Sequence, residues 1–185
     1  MRIYNSTQID EIAFELKNKK AIIIATDTVF GILSLDSDLI YKIKNRQKTK
    51  KLVTLLSDYN LISINKKIKK ILENYIPGPL TVVFEKESYR IPNSLLIKEL
   101  IGIVGPIYSS SANISGEKPI KNFQEAVNLF KKWPHEICIV ESENISSGIA
   151  STIIDLDIMK VLRKGELDGK EILEKIKQVL EIKNV

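Results

Sequence analysis

Several polar or cationic segments stand where a buried strand or helix is expected to end. One of them, Thr26-Asp27-Thr28, directly follows the apolar run Ala21 to Ala25. In open α/β sheets, ligands bind in the crevice beyond the strand ends, so hydroxyl and carboxylate groups at that place are candidates for substrate contacts. The same residues are also typical of a strand end followed by a turn. Taken alone, this segment is more typical of a turn than of a binding site.

A basic segment extends from residue 42 to residue 51. It contains six cations and no acidic residue, namely Lys42, Lys44, Arg46, Lys48, Lys50 and Lys51. Charges of one sign repel each other, so such a run either faces water with its counterions or meets a polyanion. A second basic cluster, residues 66–70, covers the outer face of a predicted amphipathic helix, and we interpret it as solvated surface.

Three further segments place small polar side chains or an arginine beside strands. Five hydrogen-bonding side chains lie between Ser109 and Gly116, where they could hold an oxyanion or form a turn. Ser151 to Asp155 and Leu162 to Gly165 carry polar residues at the edges of β-rich runs. Arginine beside glycine is suited to a phosphate or carboxylate, although a surface arginine next to a turn is commoner.

The residues that are absent narrow the chemistry. The sequence has no Walker loop, no Gly-x-Gly-x-x-Gly and no Gly-x-Ser-x-Gly elbow. Its single cysteine, Cys138, is interpreted as a core residue and its single histidine, His135, as a surface residue, which excludes Cys/His metal clusters and Cys–His catalysis. What remains is positioning and charge neutralisation by Lys, Arg, Ser, Thr and Asn, which suits a polyanionic substrate.

The elements that must position these residues alternate along the chain. Apolar periodicity predicts helices near residues 6–19, 37–44, 66–75, 94–101 and 122–132, and a last helix carrying Ile172 and Ile176. Short β-rich runs predict strands at 21–25, 52–56, 80–84, 107–110, 137–140, 151–156 and 160–163. Alternating strands and helices indicate an α/β fold. With 185 residues, 44% of them hydrophobic, the chain is expected to form one domain with a real core.

Seven motifs in one order, spread over residues 21–165, give the chain a resemblance to the YrdC/TsaC family, the threonylcarbamoyl-AMP synthases. The segments that resemble the family motifs are Ala25 to Ile32, Lys44-Asn45-Arg46, Pro77 to Thr81, Arg90-Ile91-Pro92, Ser111 to Gly116, Ser151 to Asp155 and Leu162 to Gly165. Each motif alone is weak, but their shared order is hard to attribute to chance.

The resemblance implies an open, twisted, largely mixed sheet with flanking helices around a concave basic cavity. It implies synthesis of threonylcarbamoyl-AMP and pyrophosphate from L-threonine, bicarbonate or CO2, and ATP, for modification of adenosine 37 in tRNA. Residues 1–185 would form a single YrdC-like domain of the short family form. The protein is expected to be cytoplasmic, with no membrane association. Further partners would be tRNA or the transferase that uses the product.

Family roles also transfer residue by residue. By resemblance, Lys44, Arg46, Lys50, Asn113 and Arg163 contact ATP, and Thr28, Arg90, Ser111 and Ser151 hold threonine. The residues implied to be catalytic are Lys44, Arg46, Ser111 and Asn113. No protein metal site is implied, and Mg2+ would accompany ATP through phosphate oxygens and water, because the sequence offers no evident carboxylate cage.

One departure from the family pattern is Phe30, which stands where the family has tyrosine and so removes a hydroxyl from the implied threonine site. This departure leaves open a family member that makes another carbamoyl or acyl adenylate. The lysine-rich segments leave open a second class of function, an RNA-binding module of the YrdC fold without synthase activity. Phosphate neutralisation would then make RNA affinity fall steeply with salt.

Overall fold

The computed structural model describes residues 1–133, 136–141 and 146–181, which form a ten-stranded mixed sheet flanked by helices. The strand order across the sheet is β1-β8-β2-β3-β7-β4-β6-β5-β9-β10. The strands are β1 (Arg2–Asn5), β2 (Ala21–Ala25), β3 (Phe30–Ser34), β4 (Val53–Leu55), β5 (Leu80–Phe84), β6 (Glu87–Arg90), β7 (Ile107–Ser111), β8 (Ile137–Glu141), β9 (Thr152–Asp155) and β10 (Lys160–Arg163). The helices are α1 (Ile9–Lys17), α2 (Ser37–Lys44), α3 (Lys66–Leu72), α4 (Leu95–Val104), α5 (Phe123–Phe130) and α6 (Gly169–Glu181).

Polar side chains cap the first turn of five of these helices. The residues whose side chains accept a hydrogen bond from a backbone N–H of the helix that follows are Asp36, Asn65, Ser94, Asn122 and Asp168. Such caps satisfy donors that a helix start otherwise leaves without partners. Helix α1 is shorter than the predicted range of residues 6–19 and begins after Gln8, whose side chain makes no cap hydrogen bond.

Helices cover the two faces of the sheet unequally. Side chains on β2 alternate, so Ile22 and Ile24 pack with α1 and α4 while Ile23 packs with α2 and α5 on the opposite face. On β5, Leu80 and Val82 pack against α3 and α6. Thr81, between them, points to the face that carries α1 and α4. Those two helices cover only part of this face, and the uncovered part forms the candidate site.

Glycine at position 165 lets the segment after β10 approach β9. A Cβ atom built on Gly165 would lie 2.3 Å from both Ala150 O and Thr152 N. Neither backbone atom can move without displacing the start of β9. The contact therefore requires glycine and holds the ends of β9 and β10 together.

We expect Gly165→Ala to lower the free energy of unfolding by about 2–3 kcal/mol, because the added methyl overpacks a backbone contact. Gly102→Ala is the matched control, since a Cβ there meets nothing within 4 Å inside helix α4. That substitution should stabilise the protein by about 0.5–1 kcal/mol. Urea unfolding of the two variants and the parent checks this, and equal midpoints would contradict it.

Candidate active site

The register of five neighbouring strands assembles one wall of a cavity. Leu55 pairs with Arg90, Arg90 with Thr81, Thr81 with Ile153, and Ile153 with Arg163. Residues paired across strands lie on the same face of a sheet, so all five side chains belong to one row. All five line the same cavity. The strand register thus joins residues that are more than a hundred positions apart in the chain.

The cavity has a volume of about 230 Å³ and a cationic lining. Its charged lining residues are Arg46, Lys51, Arg90 and Arg163, and no Asp or Glu of the described ranges lines it. Lys51 also forms an exposed ion pair with Glu87, with Nζ and Oε1 2.6 Å apart. The remaining polar lining consists of hydroxyl groups, on Thr26, Thr28, Thr81, Ser88, Ser109, Ser110, Ser111 and Ser151. This arrangement favours an anionic ligand with several hydrogen-bonding groups.

Arg90, between Leu55 and Thr81 in the row, is fixed by three partners. Its Nε donates to Gly78 O at 3.0 Å and its Nη1 donates to Thr28 Oγ1 at 2.8 Å. Its Nη2 lies 2.7 Å from Asp27 Oδ1, an ion pair whose angles do not make a hydrogen bond. Burial lowers the pKa of Arg90, and the Asp27 charge opposes that shift. The guanidinium therefore stays charged while its position is set by the protein.

Neighbouring hydroxyls set the direction of the Thr28 hydroxyl. Thr26 Oγ1 donates to Val29 O at 2.7 Å, so its own hydrogen is used. In the Thr26–Thr28 pair, whose oxygens are 3.1 Å apart, Thr28 must then be the donor. Thr28 Oγ1 also accepts from Arg90, which leaves one lone pair. Toward a ligand in the cavity, Thr28 Oγ1 can therefore only accept a hydrogen bond.

Lys44 lies behind the cavity and holds the loop that follows β7. Its side chain is 1% exposed. Its Nζ donates to Ser111 O, to Asn113 O at 2.7 Å and to Asn113 Oδ1 at 2.9 Å. Asn113 Nδ2 in turn donates to Ile114 O and to Glu117 O. One buried ammonium thus fixes the backbone from which Ser111 reaches the cavity.

Arg46 is turned away from Lys44 by the residue between them. Asn45 ends α2 in the left-handed conformation, with φ 48° and ψ 48°, which asparagine tolerates better than most residues. The chain bends there, so Lys44 points into the protein and Arg46 lines the cavity. Arg46 Nε donates to Lys50 O at 2.9 Å and its Nη2 to Lys51 O at 3.1 Å. Burial lowers the pKa of Arg46.

Arg163 clamps Ser151 at the far end of the row. Its Nε donates to Ser151 O and its Nη2 to Ser151 Oγ, both at 2.9 Å. Burial lowers the pKa of Arg163, and the charges of Arg90 and Arg46 lower it further. Three guanidinium groups therefore act on one small space, where an anion would relieve their repulsion.

The structure brings most of the sequence-predicted residues together. Those that line the cavity are Thr28, Arg46, Arg90, Ser111, Ser151 and Arg163. Lys44 and Asn113 lie directly behind the lining. The Lys50 side chain is exposed and outside the lining, and the Lys50 carbonyl accepts from Arg46 instead. Sequence reasoning missed Lys51, although it belongs to the basic segment, and Thr81, although it ends the Pro-Gly-Pro-x-Thr motif.

Other sequence expectations concern residues away from the cavity. Phe30 is buried with α2 and α5 on the opposite face of the sheet and does not line the cavity. Cys138 is buried and burial raises its pKa, which confirms its interpretation as a core residue. His135 lies outside the described residues. In the described ranges, no three His, Cys, Asp or Glu side chains are grouped to hold a metal ion, and no helix is long and apolar enough to cross a membrane.

The fold and site together define an α/β protein with an open mixed sheet and a cationic, hydroxyl-lined cavity. The Sua5/YciO/YrdC family model, which carries the description "Telomere recombination", matches residues 15–165. The chain belongs to the Sua5/YciO/YrdC family. This membership confirms the resemblance inferred from the seven motifs.

Individual relatives and a solved structure agree with that assignment. The uncharacterized protein MG259 of Mycoplasma genitalium is 30% identical over 151 residues, which are 80% of this chain and 33% of the relative. The threonylcarbamoyl-AMP synthase of Blochmanniella pennsylvanica is 27% identical over 192 aligned positions, covering 89% of this chain and 97% of the relative. The crystal structure of P. abyssi Sua5 complexed with L-threonine has a TM-score of 0.82 at 24% identity, covering 95% of this chain and 61% of that chain, and confirms the fold. The chain spans about a third of the length of its Mycoplasma relatives.

The buried ammonium of Lys44 predicts a specific pH dependence of stability. Burial, and then the charge of Arg46, lowers the pKa of Lys44 from 10.5 to about 7, while the three acceptors around Nζ oppose this by favouring the charged form. Between these pKa values the unfolded chain binds more protons at Lys44 than the folded protein does. The free energy of unfolding should therefore rise with pH in this window.

Lys44→Met removes this contribution and three hydrogen bonds at once, although Ser111 O and Asn113 Oδ1 keep donors in Asn113 N and Ser111 Oγ, and it should cost about 1–3 kcal/mol. Relative to this variant, the parent protein should gain up to about 1.4 kcal/mol per pH unit above pH 7. Urea unfolding at pH 7, 8 and 9 measures the difference. A difference that stays constant with pH would show that Lys44 remains fully charged in the folded protein.

Proposed function

We propose that this protein is a threonylcarbamoyl-AMP synthase, which makes threonylcarbamoyl-AMP and pyrophosphate from L-threonine, bicarbonate or CO2, and ATP. The observation that carries the proposal is the cavity in which Arg46, Arg90, Arg163 and Lys51 meet a set of hydroxyl groups without a lining carboxylate in the described residues. The name of the Blochmanniella relative and the threonine bound to P. abyssi Sua5 support the same activity.

The proposed reaction needs no nucleophile from the protein. The amine of threonine reacts with CO2 with loss of a proton, or with bicarbonate with loss of water, to give a carbamate. A carbamate oxygen then attacks the α-phosphorus of ATP, a new P–O bond forms, and the bond to pyrophosphate breaks with its electron pair on the leaving group. Orientation of bound reactants and stabilisation of negative charge supply the rate in such a scheme. The lining of arginines and hydroxyls suits both tasks.

Roles for the lining residues follow from their positions. Arg46 and Arg163 would bind the triphosphate and neutralise charge as pyrophosphate leaves. Thr28, Arg90, Ser111 and Ser151 would hold threonine. Lys44 and Asn113 would act from behind the lining by fixing the loop that carries Ser111. Either residue would also contact ATP directly. Lys50 would reach ATP only by moving its exposed side chain.

Further partners belong to the same proposal. Mg2+ would accompany ATP through phosphate oxygens and water, because the cavity lining offers no carboxylate cage in the described ranges. The product would be consumed by a transferase that acts on adenosine 37 of tRNA, which implies a cytoplasmic site of action. Residues 1–185 would form a single YrdC-like domain.

Substrate dependence tests the proposal directly. Pyrophosphate release and an AMP-linked threonine product should appear only when L-threonine, bicarbonate and ATP are all present, since the carbamate is the attacking group. Omitting each reactant in turn, with product detection by mass spectrometry, measures this. Release of pyrophosphate at the same rate without threonine would contradict the proposed function.

Loss of a guanidinium tests where the triphosphate binds. Arg46→Ala or Arg163→Ala should lower kcat/KM for ATP by about 10- to 100-fold, because a charged hydrogen bond is worth about 1.5–3 kcal/mol. Lys48→Ala is the control, since Lys48 is exposed and pairs with Asp38 on the surface. It should change kcat/KM less than twofold. Full activity in both arginine variants, with unchanged thermal melts, would place the triphosphate elsewhere.

A further inference from the structure

A pair of buried hydroxyl groups lies in the middle of the cavity wall. Thr81 Oγ1 and Ser151 Oγ are 2.7 Å apart, and the two residues are 0% and 4% exposed. Thr81 stands on β5 and Ser151 directly precedes β9, its parallel neighbour. Both residues line the cavity. The distance shows a hydrogen bond but leaves open which oxygen donates.

The contact with Arg163 limits which of the two hydroxyls can donate in the Thr81–Ser151 hydrogen bond. Its Nη2 donates to Ser151 Oγ at 2.9 Å, and a guanidinium has no acceptor. One of the two Ser151 lone pairs is therefore occupied before Thr81 is considered. The hydrogen bond from Arg163 Nε to Ser151 O also fixes the guanidinium relative to the backbone of Ser151.

The two possible directions of the Thr81–Ser151 bond differ in what they leave unpaired. If Ser151 donated to Thr81, the Thr81 hydrogen would have no acceptor among the described residues and would be fully buried, which is costly. If Thr81 donates, its hydrogen is used and Ser151 accepts twice, from Thr81 and from Arg163. The Ser151 hydrogen is then free to point into the cavity, where a ligand can accept it.

We propose that Thr81 is a positioning residue, whose buried hydroxyl forces Ser151 to act as a hydrogen-bond donor toward the carboxylate of the bound amino acid. This inference rests on the proposed function. Ser151 and Thr28 then have opposite and fixed roles, since Thr28 can offer only an acceptor. A ligand with a donor at one end and an anionic acceptor at the other, such as an α-amino acid, matches both.

The test compares variants that differ in one hydroxyl. Thr81→Val keeps the shape and removes the hydroxyl, so Ser151 loses its preferred direction and the KM for L-threonine should rise about tenfold, with the KM for ATP changed less than twofold. Thr81→Ser keeps the hydroxyl and should return the KM for threonine to within about threefold of the parent. Thr54→Val is the control, because Thr54 lies on β4 between the lining residues Val53 and Leu55 and therefore faces the opposite side of the sheet. It should leave both constants unchanged.

A double-variant cycle separates an indirect role of Thr81 from a direct one. In a Ser151→Ala background, Thr81→Val should have no further effect on the threonine Kd measured by titration calorimetry without ATP. Additive effects would show that Thr81 contacts threonine itself and would overturn the inference. If Thr81→Val fails to fold, Thr81→Ala takes its place with the same expected outcomes.

The outcomes also separate this inference from the proposed function. A parent protein that turns over in a threonine-dependent manner, with a Thr81→Val variant of equal KM and Kd, overturns the inference and leaves the function standing. A parent protein that binds no L-threonine overturns both. A selective rise in the threonine KM that vanishes without the Ser151 hydroxyl supports both.

Discussion

The site depends on the register of the sheet between β4 and β10. Side chains of a strand alternate between faces, so a slip of one residue in any of these strands would move its contribution to the opposite side. Arg90, Thr81 and Arg163 meet only because three consecutive strand pairings place them in one row. The helices stabilise that row from behind, where Leu80, Val82 and Ile154 pack against α3 and α6. Apolar packing on one face of the sheet thereby fixes the positions of the polar side chains on the other face.

Electrostatic repulsion is the second constraint on the site. Arg163 feels the charges of Arg90 and Arg46, and burial adds to the cost of keeping all three ionised. Within the described residues, Asp27 is the carboxylate in direct contact with these guanidiniums, and it meets Arg90 alone. Hydrogen bonds to backbone carbonyls hold Arg46 and Arg163 in place despite this repulsion. A polyanion that binds in the cavity would remove the repulsion among the arginines, and this removal would add to the free energy of binding.

Much of the fold could be predicted from the sequence because apolar runs and polar caps are local signals. Strands β2, β5 and β10 have the predicted bounds, and α3 begins at Lys66, the predicted start of that helix. Three strands were missed for identifiable reasons. Strand β1 is short, polar and at the sheet edge, β3 is interrupted by Gly31, and β6 is a four-residue strand carrying polar side chains. Their pairing depends on distant strands, which no local pattern reports.

The candidate site shows the same division between local and distant signals. The motifs identified Thr28, Arg90 and Ser151, but they could not tell that Lys44 lies behind the cavity while Arg46 lines it. That separation comes from the left-handed conformation of Asn45, a backbone feature at the helix end. Likewise, Lys51 rather than Lys50 lines the cavity, although the backbone carbonyls of both residues accept hydrogen bonds from Arg46.

A site built from hydroxyls and cations must control the direction of each hydroxyl, because a free hydroxyl rotor would have to be ordered when the reactants bind. Here, the protein orders the hydroxyls of Thr26, Thr28 and Ser111 beforehand. Thr26 gives its hydrogen to Val29 O, which makes Thr28 a donor to Thr26, and Arg90 then occupies a Thr28 lone pair. Ser111 gives its hydrogen to Asn113 Oδ1, which also accepts from Lys44. Dipoles that are fixed before reaction need no reorganisation as charge develops, which would be the main source of catalysis in the proposed reaction, where the protein supplies no nucleophile.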